Sequence, residues 1–553
     1  MTQLTIQSRA IYLYDTTLRD GAQREGIALS LEDKCKIATH LDRLGFHFIE
    51  GGWPGANPKD EQLFTLLKQQ PLQQAQLVAF CSTRRPHTPA HQDRIFPAIL
   101  AADTQWVTIF GKSWDLQVTE GLQTTLTENL AMIADSIRYL RQQQRRVIYD
   151  AEHWFDGFNA NPTYALATLT TAIAAGAEWV VLCDTNGGTL PDAIARITQA
   201  TRQALHETAQ SPVPEADIQI GIHAHNDSDT AVANTLAAVQ AGATMVQGTI
   251  NGYGERCGNA NLCSIIPNLQ LKMDLACMAP HQLADLTATS RLISEIVNLA
   301  PDDHAPFVGR SAFAHKGGIH VSAVQRNPAT YEHLPPEWVG NRRRIVISDQ
   351  AGMSNILEKA KQYGLPLTKE DPTGRQILQH VKTLESEGYQ FEAAEASFEL
   401  LIRQRLYQRP TFFEILGFEV SARYPQSRHP EQTFNAAIAT VKIAVCQQEI
   451  LSVAEGVGPV AALDAALRKA LTTFYPIISE FQLTDYKVRI LDSGTGTGAK
   501  TRVLVESSDG QQRWTTLGVS MSIIEASYQA VSEGIEYGLV LHQQNTCPLP
   551  NAR

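Results

Sequence analysis

The chain has 553 residues, more than one hydrophobic core usually organises, so two or three domains are expected. Its hydrophobic content of 43% and charged content of 19% are those of an ordinary soluble globular protein. A formal net charge of −11 argues against binding nucleic acid or an anionic membrane, both of which need a basic surface.

Eight cysteines are scattered without a C-x-x-C pair, which fits a reducing compartment and thiols that mostly pack in the core. The opening MTQLTIQSRA has no apolar h-region, and no run approaches the ~20 apolar residues of a membrane span. A cytoplasmic protein is expected.

The first predicted strand, IYLYDTT from Ile11, breaks into LRDGAQ, where Arg19 and Asp20 stand beside Gly21. Taken alone, this is a solvated loop whose opposite charges partly neutralise each other. The next segment, ALSLEDKCKIATHLDRLG, has helical periodicity, with Ser30 as N-cap, Gly45 as stop, and Leu31, Cys35, Ala38 and Leu41 on one face. Further strand-like runs follow: FHFIEGG, QLVAFCS, WVTIFGK, RVIYDAE, WVVLCDT, IQIGIHAH and TMVQGTI, with helical patterns between them. Strand–helix alternation of this kind predicts an α/β fold, a (β/α)8 TIM barrel over residues 1–270. No G-x-G-x-x-G follows the first strand, which weighs against a doubly wound open sheet.

In such a barrel the chemistry sits at the C-terminal ends of the strands. Those ends carry Arg19 and Asp20, Glu50, Ser82, Lys112, Glu152, Asp184 and Thr185, His223 and His225, and Asn251, all predicted to converge on one mouth. His223 and His225 are the sharpest signal. Residues i and i+2 of a strand point to the same face, roughly 7 Å apart, so two imidazoles can share one cation. Asp20 can add a carboxylate oxygen, and NGYGERCGNAN (251–261) offers amide oxygens and glycines for close backbone approach. Imidazole, carboxylate and amide donors with open positions suit Mg²⁺, Mn²⁺, Co²⁺ or Zn²⁺ as a Lewis acid. Asp20 would then hold the metal, and Arg19 would face whatever the metal polarises.

Residues 271–423 read as mainly helical linker subdomains, and Arg342, Arg343 and Arg344 as a solvated basic loop. SARYPQSRHPEQ, from Ser421, reads as a linker. Residues 424–553 read as a C-terminal α/β domain. Its strands and helices, NAAIATVKIAV, EILSVAEG, a helix from Val457, then YKVRIL, TRVLVESS, RWTTLGVS and a helix from Ile523, suggest two βββα units. SGTGTGAKT (493–501) lies between two strands, which favours a hairpin over a phosphate loop.

LRDGAQ, HAHND and GERCGNAN, together with FAHKGGIH and the C-terminal module, resemble the 2-isopropylmalate, homocitrate and citramalate synthase family. Its members are metal-dependent acetyl-CoA:2-oxoacid condensing enzymes on a TIM barrel. FGKSWDLQVTE and VIYDAEHWFDG look most like the citramalate branch, although Gln117 stands where relatives in that branch often have histidine. The resemblance implies that Asp20, His223, His225 and Asn259 are metal ligands. It implies Arg19 beside the reacting ketone, Glu152 as the strand-five acid and Thr185 on the oxoacid carboxylate. His320 matches the catalytic histidine of the segment after the barrel, and Tyr331 is a looser match; His315 competes with His320 as base.

The resemblance further implies acetyl-CoA and pyruvate as substrates, a role in isoleucine biosynthesis, and a homodimer whose C-terminal regulatory domain takes isoleucine as effector. Rival readings are a synthase for another 2-oxoacid, a cleavage enzyme like 3-hydroxy-3-methylglutaryl-CoA lyase, and a non-catalytic amino-acid sensor. Glu152 also has a second reading, as an ion-pair partner that only orients Arg19.

Overall fold

The computed structural model describes residues 10–208, 219–407, 412–422 and 437–542. The chain divides into two compact units, Met1–Phe313 with Leu334–Arg342, and Ala314–His333 with Arg343–Arg553.

In the first unit the eight predicted strands all form: β1 (Tyr12–Asp15), β2 (Phe48–Gly52), β3 (Gln76–Ser82), β4 (Trp106–Lys112), β5 (Arg146–Glu152), β6 (Trp179–Asp184), β7 (Gln219–Ala224) and β8 (Met245–Gly248). They pair in sequence order, all parallel, and β1 closes the barrel on β8 with Tyr12 opposite Met245. Parallel strands covered on both faces must be apolar on both, which explains the near-continuous hydrophobic runs. Tyr14, Phe48, Trp106, Ile148, Trp179 and Met245 fill the barrel interior. A larger core lies between the strands and the surrounding helices.

Helix Leu31–Arg43 begins at a capping box: Ser30 Oγ accepts from the Asp33 N–H at 3.1 Å, and Asp33 Oδ2 accepts from the Ser30 N–H at 2.9 Å. Gly45 stops it at φ +87°. Its buried face differs from the predicted one. Lys34, Ile37, Ala38, Leu41 and Asp42 are buried, whereas Leu31 and Cys35 are half-buried. The reason is polar: Lys34 pairs with buried Asp60, and Asp42 accepts from three backbone N–H groups at Gln73, Gln74 and Ala75. A buried charge is tolerated when its partners are supplied in this way.

In the second unit, β9 (Ala314–His315) pairs with β10 (Arg344–Ile345). Three helices, Met353–Gln362, Pro372–Ser386 and Glu395–Tyr407, contribute to a core including Ile356, Ile377, Phe391, Phe398 and Ile402. Two antiparallel sheets follow, β11 (Glu414–Ala422), β12 (Ala437–Val445) and β13 (Gln448–Gly456), then β14 (Gln482–Ile490), β15 (Thr501–Ser508) and β16 (Arg513–Ser520). Helix Pro459–Leu471 follows the first sheet and Ile523–Leu541 the second, so each half is a βββα unit.

The helical reading of the middle of the chain misses β11. This edge strand leaves most of its residues exposed on both faces, so it lacks the alternation that marks a half-buried strand. Ser421 and Ala422, read as the start of a linker, close β11, and the rest of that stretch lies outside the described residues. Residues Ser493–Gly498 join β14 to β15 as an antiparallel hairpin, as expected. The basic run is not a free loop: Arg343 pairs with Glu332 and Arg344 with Glu395.

Cys81, Cys183, Cys263 and Cys277 are buried free thiols. Cys446, in the turn between β12 and β13, is disulfide-bonded, which the scattered spacing does not predict. Among the described residues no helix is long and apolar enough to cross a membrane.

Candidate active site

Beyond β1 the chain turns sharply because the buried Asp15 carboxylate accepts from both the N–H and the hydroxyl of Thr17, at 2.9 and 2.7 Å. That turn delivers Arg19 and Asp20 to a cleft of about 590 Å³ at the C-terminal end of the barrel. Arg19 is fixed on two sides: its Nε donates to Glu50 of β2, and its guanidinium lies 3.8 Å above the Phe80 ring. Glu50 also accepts from the Tyr14 hydroxyl at 2.6 Å. Burial, then the charges of Glu50 and Asp150, push the Tyr14 hydroxyl well above its ordinary pKa, so it stays a donor. The carboxylate that orients Arg19 is therefore Glu50, and Glu152 pairs instead with Lys112.

Three of the expected cation donors converge. His223 Nε2 lies 3.3 Å from His225 Nε2 and 3.3 Å from Asp20 Oδ2, which is 3.9 Å from His225 Nε2. All three residues are buried and could hold one ion. Burial opposes charge on Asp20, but Arg19 and the two imidazoles hold its carboxyl well below the usual range. Burial and then His223 push His225 down to about 4. Burial lowers His223, but the hydrogen bond and charge of Asp20 outweigh it and hold its imidazole above the ordinary value. Asp20 and His225 thus already have the protonation state that cation binding requires, and a cation would displace the proton of His223.

The fourth expected donor, Asn259, bridges to His225 in an isolated antiparallel pair. Its amide nitrogen donates to the Tyr253 carbonyl at 3.4 Å, while its Oδ1 is buried with no hydrogen-bond partner. An orphaned amide oxygen next to converging imidazoles and a carboxylate fits a cation, which would satisfy it. Glycine is required here: a Cβ at Gly258, which has φ +93°, would fall 2.0 Å from the Gly252 carbonyl oxygen.

Thr185, after β6, borders the same cleft and is held by neighbouring loops. Its Oγ1 accepts from the His153 N–H and its carbonyl from Arg256 Nη2, both at 2.8 Å. Arg256 in turn grips Asp227 with two hydrogen bonds, at 2.7 and 3.0 Å.

Residues 10–293 match the HMGL-like family, 307–388 the homocitrate synthase post-HMGL domain-like family, and 392–539 the LeuA allosteric (dimerisation) domain. An (R)-citramalate synthase of Synechocystis sp. is 67% identical over 549 residues, 99% of this chain and 99% of that one. An (R)-citramalate synthase of Geobacter sulfurreducens is 50% identical over 529 residues, 96% of this chain and 97% of that one. The chain belongs to the citramalate synthase family. A 2-isopropylmalate synthase of Methanocaldococcus jannaschii is more distant, 29% identical over 542 residues, 97% of this chain and 96% of that one.

Not every strand end of this family member reaches the cleft. Asp184 is buried and accepts from Thr189 and Asn234, Asn251 donates to Ser290 and Ser294, and Ser82 donates to the Thr83 carbonyl. These three hold loops in place. In the second unit His315 is buried, its Nε2 3.0 Å from Glu332, which also takes Arg343 at 2.5 and 2.6 Å. His320, on helix Gly318–Arg326, is exposed, and its ring centroid is 4.3 Å from that of Tyr331.

Sequence reasoning missed the groups behind the histidine pair. His223 Nδ1 lies 2.8 Å from Gln247 Oε1, and Gln247 Nε2 donates to Asp150 at 3.1 Å. An amide oxygen can only accept, so His223 carries a proton on Nδ1, which leaves Nε2, facing His225 and Asp20, as the nitrogen a cation would take. The available signal was register: Asp150 stands two residues before Glu152 on β5, on the same face. Replacing Gln247 with leucine should therefore weaken binding of Zn²⁺ or Mn²⁺ about 10–100-fold. Titrating metal-stripped protein checks this, with Thr185→Val as a control that keeps wild-type affinity.

Proposed function

We propose that the protein condenses acetyl-CoA with pyruvate and hydrolyses the thioester, giving (R)-citramalate and CoA in the citramalate route to isoleucine. The observation that carries this reading is one cleft holding Asp20, His223 and His225, Arg19 fixed over Phe80, and Thr185. Asp20, His223, His225 and Asn259 would hold a divalent cation (Mg²⁺, Mn²⁺, Co²⁺ or Zn²⁺), which would supply Lewis acidity to the oxoacid. Thr185 donates its hydroxyl to the oxoacid carboxylate. His320, beside the Tyr331 ring, accepts a methyl proton from acetyl-CoA, and Glu152, held by Lys112, assists from the barrel. The resulting enolate carbon bonds to the ketone carbon, and the Arg19 guanidinium faces the oxygen on which negative charge grows. Water then cleaves the thioester, releasing CoA and the second carboxylate.

Three aromatic rings line one wall of the cleft. Trp53 meets Phe80 and Phe110 edge-on at 5.8 and 5.7 Å, and the two phenylalanines stack at 5.3 Å. A methyl group fits beside such a wall more readily than an isopropyl group. CoA release should be at least ~10-fold faster in kcat/KM with pyruvate than with 2-oxoisovalerate, since each extra methylene in a tight apolar site costs about 1–3 kcal/mol. Assays with 2-oxobutyrate and 2-oxoglutarate complete the test. A preference below that margin would assign a different oxoacid while leaving the condensation chemistry standing.

Residues 392–539 match a domain described as allosteric and dimerising. Leu416 and Phe418 on β11 and Val488 and Ile490 on β14 are exposed apolar residues that a second copy would cover, so we read the protein as a homodimer. Isoleucine is expected to inhibit through this module, and leucine and valine much less. Calorimetry on Asp20→Asn separates the two possible locations. Isoleucine binding that survives the substitution lies outside the barrel, whereas binding lost with Asp20 would put the effector in the catalytic cleft.

A further inference from the structure

His153 has a backbone conformation that its neighbours do not need. It follows Glu152 at the end of β5 and lies in the left-handed region, φ 55° and ψ 37°, uncommon for a residue with a side chain. It precedes helix Trp154–Ala160 but makes no side-chain cap. Its N–H is instead turned across to β6 and donates to Thr185 Oγ1 at 2.8 Å. Left-handed strain at a non-glycine residue persists only where surrounding contacts enforce it, and it clusters at functional sites.

Here the enforcing contacts are specific. His153 Nδ1 is 2.9 Å from Asp156 Oδ2, and Asp156 also accepts from the amide of Asn186, at 3.1 and 3.2 Å. One carboxylate thus ties the residue after Glu152 to the residue after Thr185. With Nδ1–H given to Asp156, His153 Nε2 is an acceptor and faces Gln117 Nε2 at 3.5 Å. The Trp114 ring lies beside the imidazole, centroids 5.6 Å apart. Gln117, the departure noted in the sequence, is therefore a partner of this imidazole.

The consequence falls on Thr185. A hydroxyl has one proton and two lone pairs. The His153 N–H occupies an acceptor position of Thr185 Oγ1, and Arg256 fixes the Thr185 carbonyl from the far side at 2.8 Å. The hydroxyl proton is left to point into the cleft that Thr185 lines.

We propose that His153 is a positioning residue for the 2-oxoacid: its left-handed backbone, clamped by Asp156 and Gln117, aims its N–H at Thr185 and commits the Thr185 hydroxyl to the substrate carboxylate. This rests on the reading of Thr185 as the carboxylate donor. His153 touches no reacting atom. Its effect is on how the oxoacid is held.

The test is a double-mutant cycle on the full-length, metal-loaded enzyme, reading KM for pyruvate, kcat and Zn²⁺ affinity. His153→Val, whose β-branched side chain resists the left-handed region, should raise KM about tenfold or more, the loss expected when a hydrogen bond to a charged group is misaligned. His153→Asn tolerates that region and should restore KM to within about threefold of wild type. Zn²⁺ affinity should not move in either. In a Thr185→Val background, His153→Val should add nothing, because the two residues act as a unit.

Additive effects in the cycle, or equal KM values for the valine and asparagine variants, would overturn the proposal. If Thr185→Val alone leaves KM unchanged, the reading of Thr185 fails, and that outcome is distinct from a cycle in which Thr185→Val raises KM and His153→Val does not.

Discussion

Asp20→Asn is expected to lower turnover with pyruvate and acetyl-CoA by about 10²–10³-fold and to weaken divalent-cation binding in the same assay series, the cost of removing one member of a buried charge cluster. Asparagine keeps the shape of the side chain and one acceptor oxygen, so packing is nearly unchanged. What is lost is the only carboxylate in the donor group, its Oδ2 3.3 Å from His223 and 3.5 Å from Arg19. Without it, Arg19 keeps its ion pair with Glu50 but faces two imidazoles and an incoming cation with one carboxylate fewer. Chelation of the wild-type enzyme should abolish activity, and Mn²⁺, Co²⁺, Mg²⁺ or Zn²⁺ should restore it, whereas Asp20→Asn should respond weakly to any of them. His225→Ala should behave similarly, because His225 and Asn259 face each other across one bridge. Activity that persists through exhaustive chelation, with Asp20→Asn binding metal as tightly as wild type, would falsify the assignment of this cluster to a cation.

The parts of the fold that were legible share a physical cause. Barrel strands are buried on both faces, so their apolar runs are continuous and stand out against the helical periods between them. The histidine pair was legible because a strand's alternation is fixed: His223 and His225 had to share a face wherever the strand lay. What was hidden depends on pairing between distant segments. Glu50 becomes the partner of Arg19 because β1 and β2 align Asp15 with Ile49, a register no local pattern states. Gln247 reaches both His223 and Asp150 only because β5 and β7 deliver their polar residues into the barrel interior facing β8. Glu152 was a candidate partner for Arg19 on chemistry alone, and geometry gave it to Lys112. The shifted face of helix Leu31–Arg43 has the same origin, since Lys34 is buried only because Asp60, on the next helix, is there to receive it.

His320→Ala should lower kcat by about 10²–10⁴-fold, the usual contribution of a positioned general base, while cation affinity stays near wild type. The structure separates this residue from its rival in the same motif. His315 is enclosed: its Nε2 is engaged by Glu332, whose carboxylate is at the same time gripped by Arg343, and its backbone carbonyl accepts from the Val346 N–H at 2.9 Å. An imidazole held that way braces the β9–β10 pair, so His315→Ala should lower the melting temperature of the enzyme yet leave kcat within a few-fold at a temperature where it is folded. Its loss removes one hydrogen bond to a charged group, worth about 1.5–3 kcal/mol. His320 has no such tie. It is exposed, two residues into its helix, with the Tyr331 ring against it and its nitrogens open to a substrate.

Two measurements discriminate the histidines. The first is kcat for both variants between pH 6 and 9, beside their melting curves. The second is exchange of acetyl-CoA methyl protons with deuterated solvent, run with a non-condensing pyruvate analogue so that proton removal is seen without carbon–carbon bond formation. His320→Ala should abolish the exchange and His315→Ala should retain it. Should the exchange survive in His320→Ala and vanish in a well-folded His315→Ala, the base would be His315, and the adjoining rings of His320 and Tyr331 would serve only to hold the thioester.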